Sequence, residues 1–290
     1  MHTAGGEYRP DSSVRADEEC DPPNLSPGRT DMTEYSPGDA DRTTKEPSPR
    51  HTAPRPNPDR AVPERVSAAG VAPGWRELVV AVLAYLATYG LVFLLLPLIA
   101  DDAVTGVVGL FVSGAIGIVA FLAACLVRRR RLSIFGIRRA RPRFLWMGVG
   151  FGLAAYLLGV VAAFVYIAAT GDAQNVQTSY QSAARGSAGF LVLTLVAGSI
   201  VTPIGEELMF RGVVANVLFA RLTAWVAVPL SALIFAVAHG INPVFPVAFV
   251  VGVLAALLFK WSGSIWPGVI LHGVNNATAL VVPLAISSLV

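Results

Sequence analysis

From Leu78 onward this chain is built from apolar runs of a length that leaves few options. Leu78 to Ala100, Ala103 to Val127 and Leu145 to Ala169 are each long, continuous and almost free of charge. Crossing a hydrocarbon core of ~30 Å takes ~20 apolar residues in a helix. Strands are disfavoured, because such runs do not alternate and open sheet edges are not tolerated in lipid. Apolar sequence resumes at Gly189, carries Glu206 and Glu207, and runs to Arg221. Trp225 to Ala238, Val244 to Phe259 and Ile265 to Leu289 follow. The expected fold is an all-α polytopic membrane helix bundle of about seven transmembrane segments, with a polar loop from Gly171 to Ala188.

Residues 1–73 are a different material. They hold 12 of the 20 prolines and 22 of the 41 charged residues. They cannot bury enough apolar surface to offset chain entropy, so a disordered, cytoplasmic N-terminal tail is expected, ahead of a membrane domain over 74–290. Nine basic against thirteen acidic residues give the tail −4, and thirteen against six give the remainder +7. The basic balance belongs to the membrane part, where Arg128 to Arg131, Arg138, Arg139, Arg141 and Arg143 share one loop. This is a topology signal rather than a nucleic-acid surface. It predicts that loop and the N-terminus in the cytoplasm, Asp101, Asp102 and Asp172 outside, and a site opening toward the cytoplasm. The first apolar run is expected to act as an uncleaved signal anchor. Cys20 and Cys125 form no disulfide framework or metal knuckle. Richness in Ala, Arg and Val suggests a bacterial chain, and hence the bacterial plasma membrane.

Charge in mid-membrane costs ~2.5–3.5 kcal/mol per residue on insertion scales, so each ionisable residue within a span needs a reason. Glu206 and Glu207 follow the apolar stretch Phe190 to Ile204. His239 and His272, half of the four histidines, lie on separate later segments. Glu207 and Arg211 stand at i and i+4 and can pair on one face. Phe235 and His239, and His272 and Asn276, have the same spacing. One carboxylate, two imidazoles and a carboxamide make a set suited to adding water to a carbonyl. In one version Glu206 is the general base, His239 helps hold the water, and His272 with Asn276 donates to the oxyanion. In another, Glu206, His239 and His272 ligate a divalent metal such as zinc. Straight helices would place His239 and His272 at different depths, which asks for a broken or shifted helix near Pro229 or Pro243.

At these residues the sequence resembles the CPBP family of intramembrane peptidases, which includes the type II CAAX prenyl endopeptidases and the lysostaphin-resistance-type proteins (the ABI group). The family pattern EExxxR, FxxxH and HxxxN reads here Glu206, Glu207 and Arg211, then Phe235 and His239, then His272 and Asn276. The match covers roughly 188–285. The resemblance implies an intramembrane endopeptidase acting on a membrane-associated protein or peptide, by a Glu/His-activated water, with a metal or without one. It implies Glu206, His239, His272 and Asn276 as catalytic and Glu207 with Arg211 as structural support. An ion-coupled transporter and a non-catalytic scaffold or immunity protein are the alternatives from other classes. Sequence says nothing of the oligomeric state. Gly148 and Gly152 form a GxxxG, read as close helix packing rather than a dimer motif.

Overall fold

A computed structural model of the chain describes residues 72–128 and 131–289. The expected tail, apart from Ala72 and Pro73, lies outside the described residues. Everything described is helix, turn or loop, with no strand. The helices are α1 (Trp75–Leu95, extended by a 3-10 turn Leu96–Leu98), α2 (Asp102–Arg128), α3 (Pro142–Thr170), α4 (Thr178–Gly186), α5 (Ala188–Phe219), α6 (Ala224–Ala238), α7 (Val244–Ser262) and α8 (Trp266–Ser287).

Six of these elements are long and apolar enough to cross a membrane. Their outward surface is that of a lipid-solvated protein: Leu83, Phe93 and Leu94 on α1 and Leu157 and Phe164 on α3 are more than half exposed. The seventh expected span is α6, and it falls short. Its 15 residues reach about 22 Å at ~1.5 Å per residue, against a core of ~30 Å. The chain then turns at Gly240, which has the positive φ of 82° that glycine adopts freely. Asn242 closes the turn, donating to the His239 carbonyl at 3.0 Å and accepting from Val244 N–H at 2.8 Å. The depth conflict is resolved by placement rather than by length: His239, the C-cap of α6, and His272 come to 3.7 and 3.8 Å from the same Glu206 oxygen, so α6 and α8 do not run as parallel rods from one level.

The expected loop over 171–188 is in part a helix. In α4 the small residues Ala183 and Ala184 are buried and Tyr180 is half-buried, while Arg185 and Gly186 face out. This packs the helix on α2, where a Cβ at Gly106 would collide with the Ser179 carbonyl. Polar composition misleads here because the helix needs only one narrow apolar face.

Glycines set the interhelical distances that matter for the site. Gly114 and Gly117 of α2 lie against the backbone of Val201 and Gly205 of α5, leaving no space for a Cβ on either. Gly148 and Gly152 of α3 lie against Pro267 and Leu271 of α8 in the same way. The GxxxG is thus an internal packing device, as read from the sequence.

α5 is irregular where the candidate residues sit. Residues Ala197–Val201 and Leu208–Ala215 are π-helical, flanking the α-helical Thr202–Glu207. The first irregularity has a local cause. Pro203 lacks an N–H and its ring would clash with the carbonyl four residues back, at Ser199. Widening the turn relieves this, and Thr202 N–H reaches Ala197 instead. The displaced Ser199 carbonyl abuts Gly273 of α8, where any Cβ would collide with it.

Candidate active site

Glu206 is 5% exposed, at the centre of the bundle. Its Oε1 accepts a hydrogen bond from Ser113 Oγ of α2 at 3.1 Å. That contact exists because Gly114 and Gly117, one and four residues further along α2, allow it onto the α5 backbone. Its Oε2 faces two imidazoles, His239 Nε2 at 3.7 Å and His272 Nε2 at 3.8 Å. Both separations exceed a direct hydrogen bond.

His239 is oriented by its own helix. Its Nδ1 lies 2.8 Å from the Phe235 carbonyl. A carbonyl can only accept, so Nδ1 carries the proton and Nε2 presents a lone pair toward Glu206 in the neutral ring. The exposed fraction of its side chain is 25%, the largest in the cluster. His272 lies deeper. Its Nδ1 is 3.7 Å from Glu207 Oε1, so one imidazole stands between the two adjacent carboxylates.

Glu207 points away from Glu206 and pairs with Arg211, Nη1 to Oε1 at 2.7 Å. Both side chains are essentially inaccessible. Arg211 also donates Nη2 to the Gly252 carbonyl at 3.2 Å, and its guanidinium carbon lies 4.5 Å above the Phe235 ring. Gly268 of α8 leaves room for the Glu207 carboxylate, since a Cβ there would strike it. Phe235, 1% exposed, is the wedge of the site. Its ring meets His239 at 4.6 Å, His272 at 5.7 Å and Phe210 at 4.9 Å between centroids.

Asn276 donates Nδ2 to the Gly198 carbonyl in the first π-turn of α5 at 2.8 Å. Its Oδ1 accepts from Asn275 Nδ2 at 3.1 Å. One N–H of the Asn276 amide therefore ties α8 to α5, and the second is left for another acceptor.

Glu206, His239, His272 and Asn276 all line one cavity of about 340 Å³. Glu207 and Arg211 are not among its lining residues. The six residues singled out in the sequence thus divide into a cavity group and a packed ion pair behind it. Sequence reasoning missed Ser113, Tyr180 and Thr202, which also line the cavity. Ser113 stands alone in an apolar run, and its only signal is the glycines beside it. Tyr180 comes from α4. Burial raises its phenol above the ordinary range, and the Glu206 charge adds to this.

Among the described residues, no group of three or more His, Cys, Asp or Glu has the geometry to hold a metal ion. The donor set of Glu206, His239 and His272 therefore does not fit the zinc site read from residue types.

The cavity extends from Glu206 toward Gln177, Tyr180 and Gln181 around α4, and past Ala163 and Leu280 near the ends of α3 and α8. That is the end opposite the Arg128–Arg143 segment. The cavity and the arginine loop therefore lie at different ends of the bundle, whereas the sequence reading expected them at the same end.

Two comparisons with known proteins bear on this region. Residues 188–278 match the family described as type II CAAX prenyl endopeptidase Rce1-like. The membrane-embedded CAAX protease MroQ of Staphylococcus aureus (strain USA300) is 34% identical over 92 residues, which are 30% of this chain and 37% of that protein. The chain thus aligns with little more than a third of its relative's length. No solved structure matches the chain. The matched segment contains α5 to most of α8, and with them all seven residues of the three motifs.

Proposed function

We propose that this chain, whose residues 188–278 match the type II CAAX prenyl endopeptidase Rce1-like family, hydrolyses a peptide bond of a membrane-associated protein or peptide with water activated by Glu206. The observation that carries the reading is the convergence of three separate helices on one carboxylate oxygen, Glu206 Oε2, inside a cavity.

The spacing suits a bridging water. Oε2 and His239 Nε2 both accept, and they stand 3.7 Å apart. A water between them donates one hydrogen to each and turns its lone pairs outward. As the water oxygen bonds to the substrate carbonyl carbon, its proton passes to Glu206 and the carbonyl electron pair moves onto oxygen. Ser113 holds the other carboxylate oxygen, so the base does not rotate away. His272, protonated on Nε2, and the second N–H of Asn276 are the donors for that oxyanion, each typically worth a few kcal/mol when preorganised. Collapse breaks the C–N bond, and the proton held by Glu206 goes to the departing amine. No cation is needed for any of these transfers.

Ionic division of labour supports the choice of base. Glu207 is committed to Arg211 at 2.7 Å, so taking a proton there would break a buried ion pair. Glu206 faces a hydroxyl and two imidazoles, and protonation costs it no such partner.

The test is cleavage of fluorogenic peptides by the purified full-length protein, normalised to folded material. Glu206→Gln keeps shape and removes the base. Expected are loss of cleavage with an unchanged melting temperature, and near-complete loss in His239→Ala and His272→Ala. Full activity in Glu206→Gln ends the reading. Insensitivity to a chelator is expected, and loss on chelation with recovery on adding zinc would replace the metal-free route.

A further inference from the structure

The two ends of the bundle differ in charge. Thirteen Lys and Arg occur in residues 74–290. Among the described residues, Arg76, Arg128, Arg131, Arg138, Arg139, Arg141, Arg143, Arg221 and Lys260 fall at one end, and Arg211 is internal. The other end has Asp101, Asp102 and Asp172 with Arg185 as its single described basic residue. Nine against one is far beyond what the positive-inside rule needs to assign the arginine end to the cytoplasm.

The cavity belongs to the other end. Its lining includes Gln177, Tyr180 and Gln181, Thr194 near the start of α5, and Leu280 in the second half of α8. On the arginine side of Glu206 the bundle is sealed. Residues 205–218 of α5 are buried on every face, Arg211 caps the site from below, and Phe210 and Phe235 pack edge-to-face across it. The truncated α6–α7 hairpin, which stops at His239, contributes Val244 and Val247 to the cavity wall.

We infer that the peptidase site takes its substrate from the non-cytoplasmic leaflet, as an extended, apolar, internal segment of a peptide or protein anchored there. The inference rests on the peptidase reading above and names its substrate class. The walls are largely apolar, with amide and phenol groups at the α4 rim. No Lys or Arg is among the described lining residues, so a free C-terminal carboxylate or an anionic headgroup finds no counter-charge. The scissile bond is therefore internal to the substrate chain. At about 340 Å³ the cavity is near the lower bound of ligand sites, ~300–1,000 Å³. An intact helix of ~10–12 Å diameter does not fit beside Glu206, so the segment enters unwound, which also frees its backbone carbonyl for attack.

The side of access is measured without any substrate. In a full-length background with Cys20→Ser and Cys125→Ala, Ser199→Cys and, separately, Ala163→Cys place a thiol on the cavity wall, and Arg139→Cys marks the arginine loop. A small membrane-impermeant methanethiosulfonate reagent is applied to intact cells and to inverted vesicles. Expected is modification of the wall cysteines in intact cells and of Arg139→Cys only in inverted vesicles. Modification of both wall cysteines solely in inverted vesicles overturns the inference while leaving the peptidase reading standing. In a second arm, single-span reporters carry the same randomised apolar insert beside the span, either outside or in the cytoplasm, scored against Glu206→Gln cells. Cleavage confined to the outside insert is the supporting result, and Glu206-dependent cleavage of the cytoplasmic insert refutes it. Outside modification of the wall cysteines with neither insert cleaved removes the peptidase reading itself, and with it the substrate class.

Discussion

Replacing Glu207 by glutamine tests whether the pair behind the site is structural, catalytic or both. The side chain keeps its shape, so the change isolates the charge. Glu207 is 0% and Arg211 2% exposed, which makes this a fully buried pair. Stranding one member of such a pair typically costs ~3–5 kcal/mol. Here Arg211 keeps a bond to the Gly252 carbonyl and its place over Phe235, so the expected cost is at the lower end, about 3 kcal/mol. Removing both charges in Glu207→Gln/Arg211→Met strands no charge and leaves only a neutral amide, whose unmet hydrogen bonds cost less than a buried unpaired cation. The double variant should therefore be more stable than Glu207→Gln. Activity should not recover with it. Glu207 Oε1 stands 3.7 Å from His272 Nδ1, and replacing that carboxylate changes what the imidazole meets on one side. The assay is melting in detergent together with peptide cleavage per folded molecule for both single variants and the double. A double variant whose loss equals the sum of the two single losses would refute the stranded-charge reasoning. Full activity per folded molecule in Glu207→Gln would refute the contact to His272.

Ser113→Ala removes the hydrogen bond to Glu206 Oε1. Bonds to charged groups are worth ~1.5–3 kcal/mol of stability, so melting should fall, cleavage per folded molecule should fall as well because the base is no longer held, and Ser113→Thr should recover much of both. Gly117→Ala drives a Cβ into the Gly205 backbone, an overpacking cost of ~1–3 kcal/mol. Gly150→Ala, which meets nothing within 4 Å, should leave melting unchanged or raise it slightly. Asn276→Ala should retain measurable cleavage, because one oxyanion donor is worth ~10²–10³ in rate. Complete inactivity in a folded Asn276→Ala protein would assign that residue a larger role.

The membrane bundle was readable in the sequence because lipid imposes length and composition directly on each span. Features set by neighbours were not. α6 looks like a span by apolarity, and only its 15-residue extent and the Gly240 turn show that it stops early. α4 has the composition of a loop, and it is helical because Gly106 gives it a surface to lie on. The six polar motif residues were legible as intramembrane polar groups, and the i, i+4 spacing paired Glu207 with Arg211 correctly. Ser113 was not, because its partner is 93 residues away and a lone serine in a span is unremarkable. The end of the bundle on which the cavity lies was also invisible. It depends on which half of α5 is packed on all faces, and that is a property of the assembled helices.

Two adjacent glutamates on one helix meet opposite surroundings, and the cause lies in the glycines of other helices. Successive residues on a helix point about 100° apart, given 3.6 residues per turn. One carboxylate therefore faces α2 and the other faces α8. Toward α2, Gly114 and Gly117 bring the backbones together, so Ser113 reaches Glu206 while the carboxylate still borders the cavity. Toward α8, Gly268 admits the Glu207 carboxylate into a space with no cavity beside it. A charge in that space persists only with a counter-charge, and Arg211 one turn away supplies it. The pair then serves as a fixed floor: it holds Phe235 through the guanidinium and faces His272 through the carboxylate. Exchanging the two neighbourhoods would exchange the two roles. Filling the space at Gly268 with alanine should therefore act on Glu207 first, lowering stability through the displaced ion pair and activity through His272, while the Ser113 to Glu206 bond stays intact. A Gly268→Ala protein that melts and cleaves like the parent would show that this glycine does not set the position of the floor.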